Sequence, residues 1–419
     1  MNEQQIILGL ILALSAITAS KYLIYIFTSP FYKFNKSKFL SASNGLSKKE
    51  IEQRIKLSVI VPAWNEEVGV VKGVESLLSG DYNNLEVIVV DDGSTDKTYK
   101  LVEQFAEKGA KKYLRTGKRL LYFKKPNGGK GSALNFGIVK ASGDVIVTMD
   151  ADTIFDKDAL PTVARFFVND TLDAAVGNVK VANSRSLLGI IQQIEYTVGF
   201  YFKRTHSIFN SEYIIGGAFG AFRKELFEKY GYFDEKNKTE DIELSTRLQV
   251  HGCTICFIED AIAYTEGPST ISGLAKQRIR WKKGRLDTFI EHRELFFSKN
   301  KKHSKFLTHF LLPITLFYEI ELVIEPFLTI FGAYYLYETH NATGFFLWIA
   351  FTGIINVIAF VFGSKKNSKI AFAFIPLYFL LSYVLTFIEV FAMYNSIKLL
   401  LVRKDVTWQT WNRKGISLQ

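Results

Sequence analysis

Four stretches of this chain are apolar over roughly the thickness of a bilayer, and between the first and the second the apolar runs shorten to strand length. Ile6 to Phe27 holds only small polar residues and Lys21 among its apolar positions, which meets the ~20 residues an α-helix needs to cross a membrane. Phe306–Tyr335, Gly344–Gly363 and Ile370–Leu401 are also long enough, separated by the polar Tyr337–Thr343 and the lysine-bearing Ser364–Ser368. The opening Met1-Asn2-Glu3 lacks the basic start of a cleaved leader, so residues 1–30 are expected to form a retained anchor. Lysine and arginine favour the cytoplasmic side of a membrane. The basic stretch from Lys33 to Lys56, the second break and the tail 403–419 all ask for that side. Three simple spans across 306–402 cannot satisfy them together. Either one run holds a hairpin or an interfacial segment, or the charge rule fails here.

From Leu57 to about Ser298 the pattern is that of a soluble α/β domain, bounded here as 57–298. Leu57–Val61, Leu85–Val90 and Val145–Thr148 are short β-branched runs that end in turn chemistry, and Ala174–Val179 reads as a fourth strand. Helical patterns over Thr98–Lys108 and Ser132–Ala141 lie between them. Strand–helix alternation predicts a mostly parallel sheet covered on both faces, with ligands gathering at the carboxyl ends of its strands.

Composition sharpens the membrane reading. The 419 residues are 48% hydrophobic, and the 36 phenylalanines concentrate in the last third. A net charge of +11 fits either nucleic acid or anionic lipid headgroups. The cations flank apolar runs (Lys33, Lys36 and Lys38 early; Lys365, Lys366, Arg403 and Lys404 late) and no nucleic-acid module is present, so the lipid bilayer is the expected partner and nucleic acid is not. Cys253 and Cys256 exclude a disulfide framework. A structural zinc needs four ligands and only His251 lies close in sequence, so both cysteines read as residues of an apolar strand.

Acidic residues stand where strands end. Asp91-Asp92-Gly93-Ser94 follows Val87–Val90, where a carboxylate can accept hydrogen bonds from a base or ribose; alone, Asp-Gly is an ordinary turn. Asp150-Ala151-Asp152 follows Val145–Met149, and two carboxylates so spaced can converge on one hard divalent cation. Thr239-Glu240-Asp241 opens an amphipathic helix; it suits a helix cap, with Thr239 capping, and equally a general base. Gln277-Arg278-Ile279-Arg280-Trp281 offers a guanidinium fork for a diphosphate and an indole face for a sugar ring, within a basic interfacial helix at about 270–290.

In order and context these elements resemble the processive family 2 glycosyltransferases: bacterial poly-β-N-acetylglucosamine synthases most, and hyaluronan, chitin-oligosaccharide and cellulose synthases. The matching series is Val61-Pro62-Ala63-Trp64-Asn65-Glu66-Glu67, Asp91 to Ser94, Lys130 to Asn135, Asp150 to Asp152, Thr239 to Asp241 and Gln277-x-x-Arg280-Trp281, spread over about Ser58 to Arg285. The resemblance implies a GT-A-type, Rossmann-like domain, with helical transmembrane segments at both ends of the chain. It implies that Glu66, Asp92, Lys130, Asp150, Gln277 and Arg280 bind a UDP-sugar, and that Asp150 and Asp152 hold Mg²⁺ or Mn²⁺. Asp241 would be the catalytic base, with Glu240 and Trp281 on the acceptor side. Gly216 to Gly220 falls where the family places an acceptor-facing loop, and reads equally as a flexible turn. The continuation Lys282-Lys283-Gly284-Arg285 is more basic than in the well-known polymer synthases.

The resulting expectation is a multi-pass enzyme of the cell membrane with its catalytic domain in the cytoplasm. It would transfer sugar from a UDP-sugar, UDP-N-acetylglucosamine favoured, with inversion, to a growing glycan that it exports. Transfer of one sugar to a lipid acceptor and a catalytically inactive membrane scaffold are the alternatives, and an accessory membrane subunit is a partner left open.

Overall fold

The computed structural model describes residues 3–114, 116–183, 186–363, 369–404 and 415–416. The lysine-bearing break 364–368 and most of the basic tail lie outside them. The first apolar run is helix α1 (Glu3–Thr28), followed by α2 (Tyr32–Leu40) and α3 (Lys48–Arg54). The central segment then alternates: β1 (Leu57–Ala63), α4 (Val70–Ser79), β2 (Leu85–Asp91), α5 (Thr98–Gln104), α6 (Lys111–Leu114), β3 (Arg119–Lys124), α7 (Lys130–Lys140) and β4 (Val145–Thr148). It continues through β5 (Ile154–Phe155), α8 (Ala159–Phe167), β6 (Ala174–Val181), α9 (Leu187–Ile208), β7 (Gly220–Arg223), α10 (Glu225–Tyr230), α11 (Glu240–Val250), β8 (Ile255–Thr265) and α12 (Ile271–Glu291). Three long helices complete the chain: α13 (Leu312–Thr339), α14 (Thr343–Gly363) and α15 (Lys369–Leu401).

The eight strands form one sheet in the order β3-β2-β1-β4-β7-β6-β8-β5. β3, β2, β1 and β4 are mutually parallel, and β6 pairs parallel with β8. β7 lies antiparallel between β4 and β6, and β5 antiparallel on β8. The central parallel strands β1, β2 and β4 are buried and mainly apolar because both faces are covered, and successive side chains go to opposite cores. Val59, Val61, Val87, Val89, Val145 and Val147 join Val74 and Leu77 of α4 and Val163 of α8. Ile60, Ile88, Val90 and Ile146 join Leu134 and Ile138 of α7 and Leu244 of α11 on the other side.

Some boundaries differ from the sequence pattern. The helix expected over 98–108 ends at Gln104 and passes into a π-turn, Phe105–Gly109. Cys253 precedes β8, so only Cys256 is a strand residue; both thiols are buried, and burial pushes Cys253 up to about 12.

Four helical stretches (Leu8–Ser43, Leu307–Thr339, Thr343–Gly363 and Ile370–Leu401) are long and apolar enough to cross a membrane. α13 reaches α12 of the catalytic half through Glu319, and α1, α14 and α15 pack against α9. The end of α1 meets it where Thr28 and Thr205 share a hydroxyl hydrogen bond of 2.7 Å and Tyr25 OH lies 3.1 Å from His206 Nε2. Behind them Glu212 is fully buried: desolvation would raise its carboxyl, but Lys203 at 2.7 Å and His206 outweigh it and hold it at about 2.

α15 is one continuous helix with no hairpin. Ala371 and Ile375, near its start, share a cluster with Ile190, Ile191 and Ile194 of α9. Near its end Ser396 Oγ donates to the Ile279 carbonyl of α12 at 3.1 Å. The chain beyond it is again against the catalytic half, where Gly415 N–H donates to Glu266 and Lys72 to the Ile416 carbonyl. Both ends of α15 therefore meet the same domain.

Candidate active site

The carboxyl ends of β1, β2 and β4 lie side by side and deliver the first two acidic clusters to one edge of the sheet. The turn after β1 is stitched to the turn after β2. Asn65 N–H donates to Ser94 Oγ at 2.9 Å, Thr95 N–H to Asn65 Oδ1 at 2.9 Å, and Glu66 N–H to Thr98 Oγ1 at 2.8 Å. Asn65 takes φ +55°, a left-handed conformation that asparagine tolerates. Gly93 has φ +76°, and a Cβ there would stand 2.8 Å from the Asn127 nitrogen, so the turn needs glycine twice over.

Asp92 is buried and already engaged. Its carboxylate accepts from Lys125 Nζ at 2.7 Å, from Gly128 N–H at 3.0 Å and from Gly129 N–H at 2.7 Å. It fixes the loop that leads into α7, and thereby the position of Lys130.

Lys130 is the hub of the site. It opens α7, and its Nζ lies 2.6 Å from Asp150 Oδ1 and 3.4 Å from Glu240 Oε1. Burial works to lower its pKa, but Asp150, Glu240 and Asp241 outweigh it and raise the group above its ordinary value. Burial raises Glu240, opposed by Lys130 and Arg280 and reinforced by Asp241. Asp241 Oδ2 accepts from Gly217 N–H at 2.8 Å and Oδ1 from Ile242 N–H at 2.9 Å. A Cβ on Gly217 would fall 2.4 Å from Lys130 Nζ. The run 216–220 lies beside Lys130 and Asp241 and leads straight into β7. Thr239 makes no side-chain cap for α11, contrary to the capping expectation, and bonds to Asn237 instead.

Asp150 and Asp152 stand on the turn after β4, which Thr153 N–H closes onto the Asp150 carbonyl at 3.0 Å. Asp152 is buried beside Thr265, at the end of β8. As hard oxygen donors at a strand end they fit a divalent ion that keeps waters and phosphate oxygens as its other ligands. Among the described residues, a separate trio, Glu243, Glu291 and His292, brings ligand atoms within 4.8 Å of one another. Arg247 already takes both Glu243 oxygens, at 2.9 and 2.8 Å, and His292 Nε2 lies 3.2 Å away, so that trio is a closed ion-pair group.

α12 lies across the same site. Gln277 is buried, with an Oε1 that makes no hydrogen bond within the described residues. The charge of Arg280 acts on Glu240 and on Tyr196, which also feels Asp150. Trp281 has the Arg278 guanidinium 4.7 Å from its ring centroid. Gly284 allows the closest approach: a Cβ there would stand 1.9 Å from Thr239 Oγ1. Gly284→Ala should therefore lift α12 off the Glu240–Asp241 turn. Overpacking of this kind costs about 1–3 kcal/mol. We expect a lower melting temperature together with slower turnover; unchanged values for both would mean that the two elements yield freely.

The sequence matches the model of glycosyl transferase family 2 over residues 58–231 and that of glycosyl transferase family group 2 over 145–389. The second match covers more than half of the chain. The chain is a family 2 glycosyltransferase. It is 32% identical, over 82% of its own length and 82% of the relative's, to a poly-beta-1,6-N-acetyl-D-glucosamine synthase of Staphylococcus epidermidis (strain ATCC 35984). The synthase of the same description from Staphylococcus aureus (strain COL) is 33% identical over 58% of this chain and 57% of that one. Among solved structures, a mannosyltransferase from Pyrobaculum calidifontis, in complex with GDP-Man and Mn²⁺, superposes with a TM-score of 0.53 at 19% identity, over 92% of this chain and 100% of that one. That likeness establishes the GT-A fold.

Within this glycosyltransferase, Lys130, Asp150, Glu240, Asp241 and Arg280 form one electrostatic group, and Glu66 and Asp92 frame its strand-end side. Trp281 sits at the opposite margin, facing the membrane helices. Sequence reasoning missed Lys125 and Gly284 as working parts, and gave Gly217 only as part of an acceptor-facing loop or a flexible turn. The glycines were visible in the motifs, but only the folded distances show what they admit.

Proposed function

We propose that this enzyme is an inverting transferase that elongates a β-linked polysaccharide from UDP-N-acetylglucosamine on the cytoplasmic side of the cell membrane and passes it outward. The observation that carries the reading is the convergence on Lys130, which joins Asp150 of the donor side to Glu240 and, electrostatically, Asp241 of the acceptor side. Asp241, oriented by two backbone N–H groups, takes the proton of an acceptor hydroxyl. The hydroxyl oxygen attacks the anomeric carbon of an α-linked donor, and the bond to UDP breaks on the opposite face, leaving a β linkage. Lys130 and Arg280 supply positive charge beside the departing diphosphate. Asp150 and Asp152 are the residues that would hold Mg²⁺ or Mn²⁺, which neutralises that leaving group. Glu66 and Asp92 border the nucleoside, Gln277 closes over the diphosphate, and Glu240 and Trp281 face the acceptor.

N-acetylglucosamine is favoured because the relatives named above, one of them covered over 82% of its length, are described as synthases of its polymer. The cytoplasmic placement rests on the basic flanks of the membrane helices and on both ends of α15 meeting the catalytic half. The test is to incubate purified full-length protein with individual UDP-sugars and to size the product. Consumption of UDP-N-acetylglucosamine into a polymer is expected. A one-sugar lipid product would replace polymer synthesis, and no UDP release from any donor would leave a scaffold.

A further inference from the structure

The basic continuation of α12 has no part in the roles above, yet it is tightly placed. Residues three and four apart share a helix face. Gln277, Arg280, Gly284 and Thr288 form the stripe that rides on the active site; Arg278, Lys282, Arg285 and Phe289 form the stripe beside it. The three cations of the second stripe meet three carboxylates from three other helices. Arg278 lies 2.6 Å from Glu195 of α9 and 3.1 Å from Glu389 of α15. Lys282 lies 2.7 Å from Glu319 of α13 and 3.0 Å from Glu389. Arg285 lies 2.6 Å from Glu319. Three positive and three negative charges close on one another, and all but Glu319 line a cavity of about 330 Å³ together with Trp281.

Arg278 is the member of this set that reaches the acceptor side. Its guanidinium is buried and sits 4.7 Å from the Trp281 ring centroid, within cation–π range. A buried guanidinium held by carboxylates on two sides cannot swing away without leaving charge uncompensated. We propose that Glu195 and Glu389 are positioning residues for Trp281: they clamp Arg278 from the catalytic side and from the membrane side, and the clamped guanidinium fixes the indole plane. This rests on the reading of Trp281 as the acceptor platform. It makes the pose of that platform depend on a membrane helix, so the sugar-holding surface is complete only with α15 in place.

The experiment uses full-length enzyme in lipid nanodiscs, with Glu195→Gln and Glu389→Gln as the main variants and Glu195→Asp as the charge-keeping control. Trp281 emission is isolated in each background by subtracting the spectrum of the matching Trp281→Phe protein. Loss of one carboxylate should shift that emission to the red and increase its quenching by acrylamide. The acceptor KM should rise by about five- to thirtyfold, the worth of a partly to fully desolvated cation–π contact, while the UDP dissociation constant stays put. Glu195→Asp should retain most of the wild-type signal. Unchanged emission and acceptor KM in both Gln variants would overturn the clamp. So would parallel losses of UDP binding, acceptor binding and melting temperature, which signal a general structural role. If wild-type protein transfers no sugar, the proposed function fails by itself, and the emission measurement still decides whether Glu195 and Glu389 hold Trp281.

Discussion

Asp241→Asn should lower sugar transfer by ~10²–10⁴, the usual loss when a general base is removed, with UDP binding retained. The substitution keeps the side-chain shape but not its acceptor capacity. Asp241 accepts from Gly217 N–H with one oxygen and from Ile242 N–H with the other. An asparagine has a single oxygen, so one of these donors loses its partner, at a cost of about 1–3 kcal/mol. A modest fall in melting temperature is therefore expected and is too small to explain the rate. Single-turnover transfer measured beside UDP binding separates the two effects. Near-normal turnover would return Asp241 to a purely structural part in the first turn of α11.

Chelation should have an effect as large. Thorough treatment with EDTA is expected to abolish turnover, and added Mg²⁺ or Mn²⁺ to restore it. Mutation is the poorer test here, because Asp150 also holds Lys130 at 2.6 Å. Lys130 and Asp150 are both half-buried, and removing the carboxylate would also unsettle the lysine, so Asp150→Ala would mix lost metal with lost structure. Chelation leaves the ion pair intact. Full activity after chelation would end the metal role of Asp150 and Asp152.

The strands that carry the chemistry were legible because a parallel strand covered on both faces must be apolar along its length. Such continuity is visible in Leu57–Val61, Leu85–Val90 and Val145–Thr148, and the acids that follow mark where each strand leaves the core. The strands that escaped notice lack that signature. β3 is only half-buried and is framed by Arg119 and Lys124, β5 has two residues, and β7 begins with Gly220. The family resemblance puts Lys130 and Asp150 on the donor side and Glu240 on the acceptor side; that one lysine meets both carboxylates no spacing along the chain could give, since three separate elements supply them.

The membrane carboxylates show the same limit. Acidic residues within apolar runs are costly, which singles out Glu319, Glu321, Glu325 and Glu389. The spacing of Glu321 and Glu325 suggests that they act as the pair, with Pro326 beside them. In the fold Glu319 and Glu389 take the cations of α12, from segments tens of residues away. The sequence shows which charges need partners and leaves the choice of partner to packing.

That pairing governs how the enzyme can be cut down. A soluble fragment ending near residue 298 would keep Arg278, Lys282 and Arg285 but only Glu195 of their three carboxylates. The helix bearing Gln277, Arg280 and Trp281 would then present an apolar, uncompensated cationic surface to water. Such a fragment should aggregate or bind acidic contaminants during purification, and its low activity would say little about the chemistry of the intact enzyme.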